Sequence, residues 1–242
     1  MKPRVGISAC LLGHQVRYDG GHKRASYLTG RLGRSVEWVP VCPELELGLG
    51  VPREPIRLVG RIKAPRLVAA ESGRDLTEAM LRFARARVAQ LSARDLSGFV
   101  LKARSPSCGM EAVPVHRAVG QLVDRGRGLF ARVLIERMPL LPVEEEGALR
   151  SHARRENFLV RVLAYQRWRA FVAARPTRAR LAAFHAAHER QLRAHDRASH
   201  AVLDRLVRRS TRPLAAVLED YGAGFMRTLT GNVPCATHGT KK

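Results

Sequence analysis

Near its start the sequence reads Val5-Gly6-Ile7-Ser8-Ala9-Cys10-Leu11-Leu12-Gly13, a short apolar run that leads directly into a cysteine and then a glycine. The same order of features recurs in residues 36–43, around Cys42, and in residues 99–109, around Cys108, where proline or glycine again stands beside the cysteine. In an open α/β sheet, ligands bind outside the carboxyl ends of the strands, so loops at that edge face a common crevice. The sequence therefore predicts three thiols that converge from three loops.

The first part of the chain has the pattern of an α/β domain. Up to about residue 143, short apolar runs alternate with helical periodicity, which is typical of a mainly parallel, Rossmann-like sheet. We expect one helix to begin near Asp75, which can cap it while Glu78 stands three residues on. A second helix is predicted from about Gly128 to Arg137, and a last strand from Leu140 to Val143.

The second part has the pattern of a smaller all-α domain. The acidic, glycine-ended step at residues 144–147 separates the two, so we expect domains at residues 1–147 and 148–229 and a disordered tail at 230–242 that contains Cys235. We predict helical stretches at 198–209 and about 214–226, after two apolar stripes at helical spacing on either side of Pro176. The stripes are Phe158, Val162, Tyr165, Trp168 and Val172, and then Leu181, Phe184, His188 and Leu192.

The charge balance points towards polyanions. The chain carries 43 basic and 21 acidic side chains, a formal net charge of +22. Such a surface attracts RNA, DNA or nucleotide-like molecules through counterion release. A solvated, arginine-rich surface would give the same count, and we find no recognisable nucleic-acid-binding motif beside it. Contact with RNA, tRNA in particular, therefore stays open as an alternative.

The composition also bears on the cellular compartment in which the protein is expected. No stretch approaches the roughly 20 consecutive apolar residues of a membrane-spanning helix, and Met1 to Cys10 lacks the apolar core of a signal peptide. We therefore expect a cytoplasmic protein with no membrane partner. In a reducing cytosol, its four cysteines are expected to be thiols, metal ligands or catalytic groups rather than disulfides.

The three loop cysteines allow several chemistries. Thiolates are soft ligands suited to an iron–sulfur cluster or to zinc, and Arg17, Lys102 and Arg104 would help to keep them deprotonated. Three thiolates leave one iron of a cubane cluster without a protein ligand, and such an open position can bind substrate. Buried cysteines that pack as small hydrophobes are one alternative. A cysteine nucleophile with His14 or His116 as its base is another.

Three motifs in order carry a resemblance to a known family. They are Ser8-Ala9-Cys10-Leu11-Leu12-Gly13, Val41-Cys42-Pro43-Glu44 and Arg104-Ser105-Pro106-Ser107-Cys108-Gly109. Across residues 1 to about 147 the sequence resembles the 2-thiouracil desulfurases (TudS-type). From about residue 148, through His152-Ala153-Arg154-Arg155-Glu156-Asn157-Phe158, it resembles the YbgA-type helical domain found fused behind them. The segment 226–242 departs from that pattern, because it reads as short and irregular where further helix is expected.

The resemblance implies an activity, a cofactor and its ligands. It implies a [4Fe–4S] cluster held by Cys10, Cys42 and Cys108, whose fourth iron takes the sulfur of a thiolated uracil or related nucleobase. Non-redox desulfuration then gives the oxo base and sulfide. An open iron polarises the C–S bond so that water can attack the carbon, while an acid–base group moves protons. Glu44, two residues from a ligand, is the group we predict for that role.

Further polar residues in the loops are candidates for binding or catalysis. We favour Ser105 as a group that acts on the substrate, since Ser107 adjoins a ligand and could simply cap the turn. Asp19 and Arg17 are candidates to bind the base, although Asp before Gly is also an ordinary turn former. Arg53 could bind a phosphate or brace its loop, and the sequence does not separate the two.

In the helical domain, His185, His188 and His195 lie roughly along one helix face. Metal binding would need them to converge. A helix rich in arginine and histidine is more often a solvated or partner-facing surface, which is the interpretation we favour here. The resemblance assigns this domain no activity, and the sequence does not predict an oligomeric state.

Overall fold

The computed structural model describes residues 2–117 and 122–231. The chain divides into two compact units, the first ending at Arg150 and the second beginning at Ser151. The predicted boundary, after residue 147, falls immediately before the 3₁₀ helix Ala148–Arg150, which belongs to the first unit.

The first unit contains eight strands and four helices among the described residues, with a 3₁₀ turn at Ala9–Leu12 and a π-helical turn at Leu28–Leu32. In chain order the strands are Arg4–Ser8 (β1), Glu37–Val41 (β2), Ile56–Arg61 (β3), Ala64–Ala69 (β4), Leu96–Leu101 (β5), Val113–His116 (β6), Leu122–Gly126 (β7) and Val143–Glu145 (β8). The helices are Gly33–Ser35 (α1), Pro43–Glu46 (α2), Thr77–Ala93 (α3) and Leu129–Arg137 (α4).

The first sheet is parallel throughout, in the order β2-β1-β5-β8, which confirms the predicted α/β fold. Its two central strands, β1 and β5, are almost completely buried, as expected for parallel strands covered on both faces. Gly6 lies opposite Phe99 in the register, and a Cβ at Gly6 would lie 2.3 Å from the Phe99 ring. Glycine is therefore required for this ring to pack across the sheet.

The helix predicted near Asp75 begins slightly later than expected. It starts at Thr77, and Asp75 Oδ1 accepts a hydrogen bond from the Thr77 N–H at 2.8 Å. The residue at the cap position is Leu76, one residue later than predicted, but the Asp75 carboxylate still supplies the acceptor for the first helical N–H. The second predicted helix is α4, which ends at Arg137, before Pro139.

A second sheet was not predicted. It has the order β4-β3-β6-β7, with β3 parallel to β6 and the other two pairs antiparallel. The last strand of the first sheet also differs from the prediction. It spans Val143–Glu145, because Leu141 N–H bonds to Met138 in a turn and the chain extends only after that turn.

The second unit consists of helices His152–Ala173 (α5), Arg178–His195 (α6), Arg197–Arg209 (α7) and Leu214–Thr230 (α8). Ser151, Thr177 and Asp196 cap the first three, each accepting a backbone N–H near the start of its helix. The predicted all-α region is confirmed. The last helix continues through Met226 to Thr230, so the expectation of irregular chain from Met226 was wrong for this stretch. Residues 232–242, with Cys235, lie outside the described residues.

Aromatic side chains form the core of the second unit. The Trp168 ring lies 5.4 Å from the Tyr221 ring, and the Phe184 ring lies 5.5 Å from the Phe225 ring. The first predicted stripe is buried apart from its last member, Val172, which is 41% exposed because α5 ends one residue later.

The predicted solvated or partner-facing histidine face was wrong for His185, whereas the burial of His188 agrees with its place in the second apolar stripe. His185 and His188 are buried, with His185 Nδ1 3.1 Å from the Tyr221 hydroxyl and His188 Nδ1 2.8 Å from the Phe184 carbonyl oxygen. Burial lowers the pKa of both imidazoles. They are part of the packing between helices.

None of the helices described here is both long enough and apolar enough to span a bilayer.

Candidate active site

All three loop cysteines line one open cavity of about 330 Å³ in the first unit. Glu44, Arg53, Lys102 and Ser105 also contribute to its wall. The cavity lies at the carboxyl ends of β1, β2 and β5, where the sequence predicted that the loops would meet.

Cys10 is held in the 3₁₀ turn that directly follows β1. Gly13 ends the turn with φ of 102°, a conformation that favours glycine, and the Cys10 carbonyl accepts the Lys23 N–H at 2.9 Å. Burial, together with the neighbouring Cys42 thiol, raises the pKa of Cys10 to about 11, while Lys102 acts in the opposite direction.

Cys42 stands between β2 and α2. Its N–H donates to Glu46 Oε1 at 2.9 Å, so a carboxylate one turn on fixes the backbone at the start of the helix. Glu46 in turn pairs with Arg87 at 2.8 Å. The Cys42 thiol points towards the first loop, where the Val16 carbonyl oxygen lies 3.8 Å from Sγ. Burial raises the pKa of this thiol as well.

Cys108 is buried in the third loop, where it also lines the cavity. The Ser105 hydroxyl oxygen accepts the Cys108 N–H at 3.1 Å and the Ser107 N–H at 3.3 Å, which fixes the turn. Gly128 allows the start of α4 to lie against the third loop, since a Cβ there would lie 2.5 Å from the Ser107 carbonyl. Burial raises the pKa of Cys108 well above its usual range, and Glu44, Cys10 and Cys42 add to the rise. The Cys10 and Cys42 thiols are thus each close enough to raise the pKa of Cys108.

The donor set fits a cluster better than a single ion. Within residues 2–117 and 122–231, no three His, Cys, Asp or Glu side chains lie close enough together to hold one metal ion. One zinc ion, with Zn–S bonds of about 2.3 Å, would require its sulfurs to lie about 3.8 Å apart. In a cubane cluster each cysteine binds a different iron, so the sulfurs stand further apart around a larger body. The cavity offers both the space and three convergent thiols.

Glu44 joins the second and third loops. Its Oε2 accepts from Arg53 at 2.5 Å, and its Oε1 accepts from the Ser107 hydroxyl at 3.1 Å. Arg53 also donates to the carbonyl oxygens of Val16, at 3.0 Å, and Gly50, at 2.8 Å. Arg53 therefore braces the first two loops, which is one of the two roles that the sequence left open.

The predicted polar residues occupy different positions. Ser105 lines the cavity, and although its oxygen accepts two backbone N–H groups, its own proton is left to donate. Ser107 is completely buried and donates to Glu44. Asp19 is not among the residues that line the cavity, and it accepts the Gly21 N–H at 3.0 Å in an ordinary turn. Arg17 does line it, and its Nε lies 3.4 Å from Asp19 Oδ1.

The acidic step at residues 144–147, where the sequence predicts the domain boundary, also supports the third loop. Glu146 Oε1 accepts from Lys102 Nζ at 2.5 Å, and Oε2 accepts the Ala103 N–H at 2.6 Å. Glu145 Oε1 accepts the Met110 N–H at 2.8 Å and the Glu111 N–H at 3.1 Å. The signal that could have identified them is their place at the end of an apolar run, the same place as the three cysteines.

Known proteins share the first unit. The family described as 2-thiouracil desulfurase matches residues 5–146. The "uncharacterized protein YbbK" of Bacillus subtilis (strain 168) is 34% identical over 133 residues, which are 53% of this chain and 87% of that protein. A solved structure described as the "[4Fe-4S]-dependent thiouracil desulfidase TudS" is 33% identical, with a TM-score of 0.50, and the match covers 62% of this chain and 94% of that one. The chain belongs to the 2-thiouracil desulfurase family.

Proposed function

We propose that this chain is a non-redox desulfurase that converts a thiolated uracil, or a related thiolated nucleobase, to the oxo base and releases sulfide. The cofactor would be a [4Fe–4S] cluster held by Cys10, Cys42 and Cys108. One observation carries the proposal: three thiols from three loops line a single open cavity whose wall includes the Glu44 carboxylate. The solved relative, described as a [4Fe-4S]-dependent thiouracil desulfidase, supports it.

When bound, the cluster supplies an iron without a protein ligand, which acts as a Lewis acid on the C–S bond of a thiocarbonyl. The reaction as a whole exchanges C=S for C=O. Water supplies the oxygen and the sulfur leaves as hydrogen sulfide, so no electrons are transferred.

Glu44 is the proposed proton carrier. Arg53 and Ser107 hold its two oxygens from different sides, so the carboxylate is fixed in one orientation in the cavity wall. From there it can take a proton from the attacking water and return it to the leaving sulfur. Glu44 lies beside the cysteines, since it contributes to the electrostatic environment of both Cys42 and Cys108.

The other cavity residues bind and orient the substrate in this proposal. The Ser105 hydroxyl proton is available for an oxygen or nitrogen of the base. Arg17 and Lys102 place positive charge near Cys10, where anionic sulfur has to be accommodated. Asp19 would act through Arg17, and Ser107 would act through Glu44.

The test is anaerobic reconstitution with iron and sulfide, followed by metal analysis and a sulfide-release assay on 2-thiouracil. The wild type should bind about four irons per chain and release sulfide. Cys10→Ala, Cys42→Ala and Cys108→Ala should lose both. Cys235→Ala is the matched control and should keep both. Full activity in any of the three loop variants would refute the proposal, and zinc without broad visible absorption would favour the zinc alternative.

A basic RNA-binding protein with a structural or sensing metal site is the second candidate. It is favoured by the charge distribution, since residues 151–242 carry 18 basic and 6 acidic side chains. Affinity for tRNA that falls steeply with salt would support contact. Binding that persists without a cluster, in a protein that turns over no thiolated base, would make this the better description.

We further propose that the second unit is a YbgA-type domain that modulates substrate access or partner choice, and that the protein is cytoplasmic with no membrane partner. Sulfide release by a chain ending at Arg150, compared with the full chain on free base and on thiolated tRNA, tests the role of the second unit.

A further inference from the structure

Tyr18 is the one aromatic side chain among the described residues that line the cavity. It is 40% exposed, which makes it one of the few large apolar side chains in the described part of the chain that are not packed away. An aromatic side chain contributes to a fold mainly through the area of ring that it buries. This ring instead stands at the cavity wall, where an entering ligand meets it.

The ring is held in place although it is exposed. The Tyr18 carbonyl oxygen accepts the backbone N–H of Arg53 at 3.0 Å. The backbone N–H of the flanking Arg17 donates to the Gly21 carbonyl oxygen at 3.3 Å. The Arg17 guanidinium lies over the Tyr18 ring, with Cζ 5.3 Å from the ring centroid. Asp19 restrains that guanidinium in turn.

A fixed aromatic ring suits a flat ligand. Stacking on an aromatic side chain is available to every nucleobase, because every base has a π face, and it needs no hydrogen-bond match. Arg17 lies over the Tyr18 ring, yet Tyr18 lines the cavity and remains 40% exposed, so part of this side chain is accessible to a ligand. The cysteines and Glu44 are then left to act on the sulfur-bearing edge of that ligand.

We propose that Tyr18 is the stacking platform for the heteroaromatic ring of the substrate and that Arg17 holds it in place. The inference rests on the proposed function and deepens it. It states that the site selects a planar base and that Tyr18 supplies that selectivity through binding rather than through proton transfer.

The test compares Tyr18→Leu with Tyr18→Phe in the full chain carrying its cluster. The measurements are KM and kcat for 2-thiouracil, and the dissociation constant of uracil, which has the same ring without the sulfur. Tyr18→Leu should raise KM and the uracil dissociation constant about tenfold, the lower part of what base–aromatic stacking contributes, and leave kcat within about twofold. Tyr18→Phe should leave all three within about twofold. Ile62→Ala is the matched control, because Ile62 is 43% exposed and is not among the residues that line the cavity.

Tyr18→Leu with wild-type KM and uracil affinity would overturn the inference. So would a fall in kcat or in iron content with binding unchanged, because that result would mean that Tyr18 supports the fold of the loop. A wild-type protein that binds uracil but releases no sulfide would overturn the proposed function alone, and the uracil comparison would still decide the role of Tyr18. A wild-type protein that neither binds uracil nor releases sulfide would overturn both, and in one that releases sulfide without binding uracil the KM comparison decides the role of Tyr18.

Discussion

The Arg53–Glu44 ion pair has the least exposed cation among the ion pairs described, with the Arg53 side chain 5% exposed and the Glu44 side chain 16% exposed. Arg53→Met keeps most of the length of the side chain and removes the guanidinium. The change therefore deletes the ion pair at 2.5 Å and the hydrogen bonds to the Val16 and Gly50 carbonyl oxygens. Among the described residues, Ser107 then remains as the side-chain donor to the Glu44 carboxylate.

The expected loss of stability is large. Removing one partner of a buried ion pair costs about 3–5 kcal/mol, because the remaining charge stays buried without compensation. Glu44 retains some contact with solvent, so we expect about 3 kcal/mol for Arg53→Met. For a unit of this size that corresponds to a melting temperature lower by about 6–12 °C. Adding Glu44→Gln removes the unpaired charge, so the double variant should recover about half of the loss.

Thermal unfolding of the cluster-loaded protein, followed by circular dichroism under anaerobic conditions, measures the melting temperatures of the single and the double variant. Arg66→Met is the matched control. The Arg66–Asp75 pair is exposed, at 65% and 44%, and an ion pair of that kind adds little to stability, so its midpoint should stay close to that of the wild type. An Arg53→Met midpoint equal to the control, or a double variant whose loss is the sum of the two single losses, would refute the reasoning.

Ser107→Ala removes the hydroxyl that donates to Glu44 Oε1 and should lower kcat for sulfide release about tenfold or more with little change in KM. Ser105→Ala removes both the acceptor of two backbone N–H groups and the hydroxyl proposed to bind the substrate, so it should lower the iron content and raise KM in the fraction that keeps its cluster. Anaerobic kinetics with iron analysis distinguish the two variants. Normal iron content in Ser105→Ala would show that the Ser105 oxygen is not needed to hold the turn around Cys108. In the second unit, burial lowers the pKa values of His185 and His188 from their usual 6.5, so below that pH the unfolded chain binds protons that the folded unit excludes. The stability that these two neutral imidazoles contribute should be fully present above about pH 6.5 and should be lost as the pH drops towards their folded-state pKa values. Urea unfolding at about pH 7.5 and about pH 5.5 measures the change, and equal midpoints would show that the two imidazoles are not held neutral.

The parallel sheet and its three loops could be predicted because their signals are local. β1 and β5 are largely apolar, and each loop begins where such a run meets glycine, proline or a cysteine. The second sheet has no such signal. Strands β3 and β4 contain Arg57, Gly60, Pro65 and Arg66, which interrupt the alternation of apolar and polar residues that predicts a strand. Its parallel pairing of β3 with β6 joins residues far apart in the chain.

The place of Glu145 and Glu146 at the end of an apolar run marks them as candidates, but their partners could not be predicted, for a related reason. Glu145 and Glu146 bind backbone and side-chain donors between residues 102 and 111, and nothing in their own sequence neighbourhood points to those partners. His185 was misjudged in the same way, because its partner Tyr221 lies on a different helix.

Glu44 has two roles that any experiment on it must separate. Through Arg53 it is connected to the first loop, and through Ser107 to the third, while it stands two residues from Cys42 in the second. A variant that loses this carboxylate can therefore lose activity because the loops shift and the thiols no longer converge. Glu44→Gln keeps the side-chain volume and an oxygen that Ser107 can donate to, but it cannot carry the proton. Loss of activity in Glu44→Gln consequently identifies proton transfer only if its iron content equals that of the wild type, whereas loss of iron would assign Glu44 to the architecture of the site.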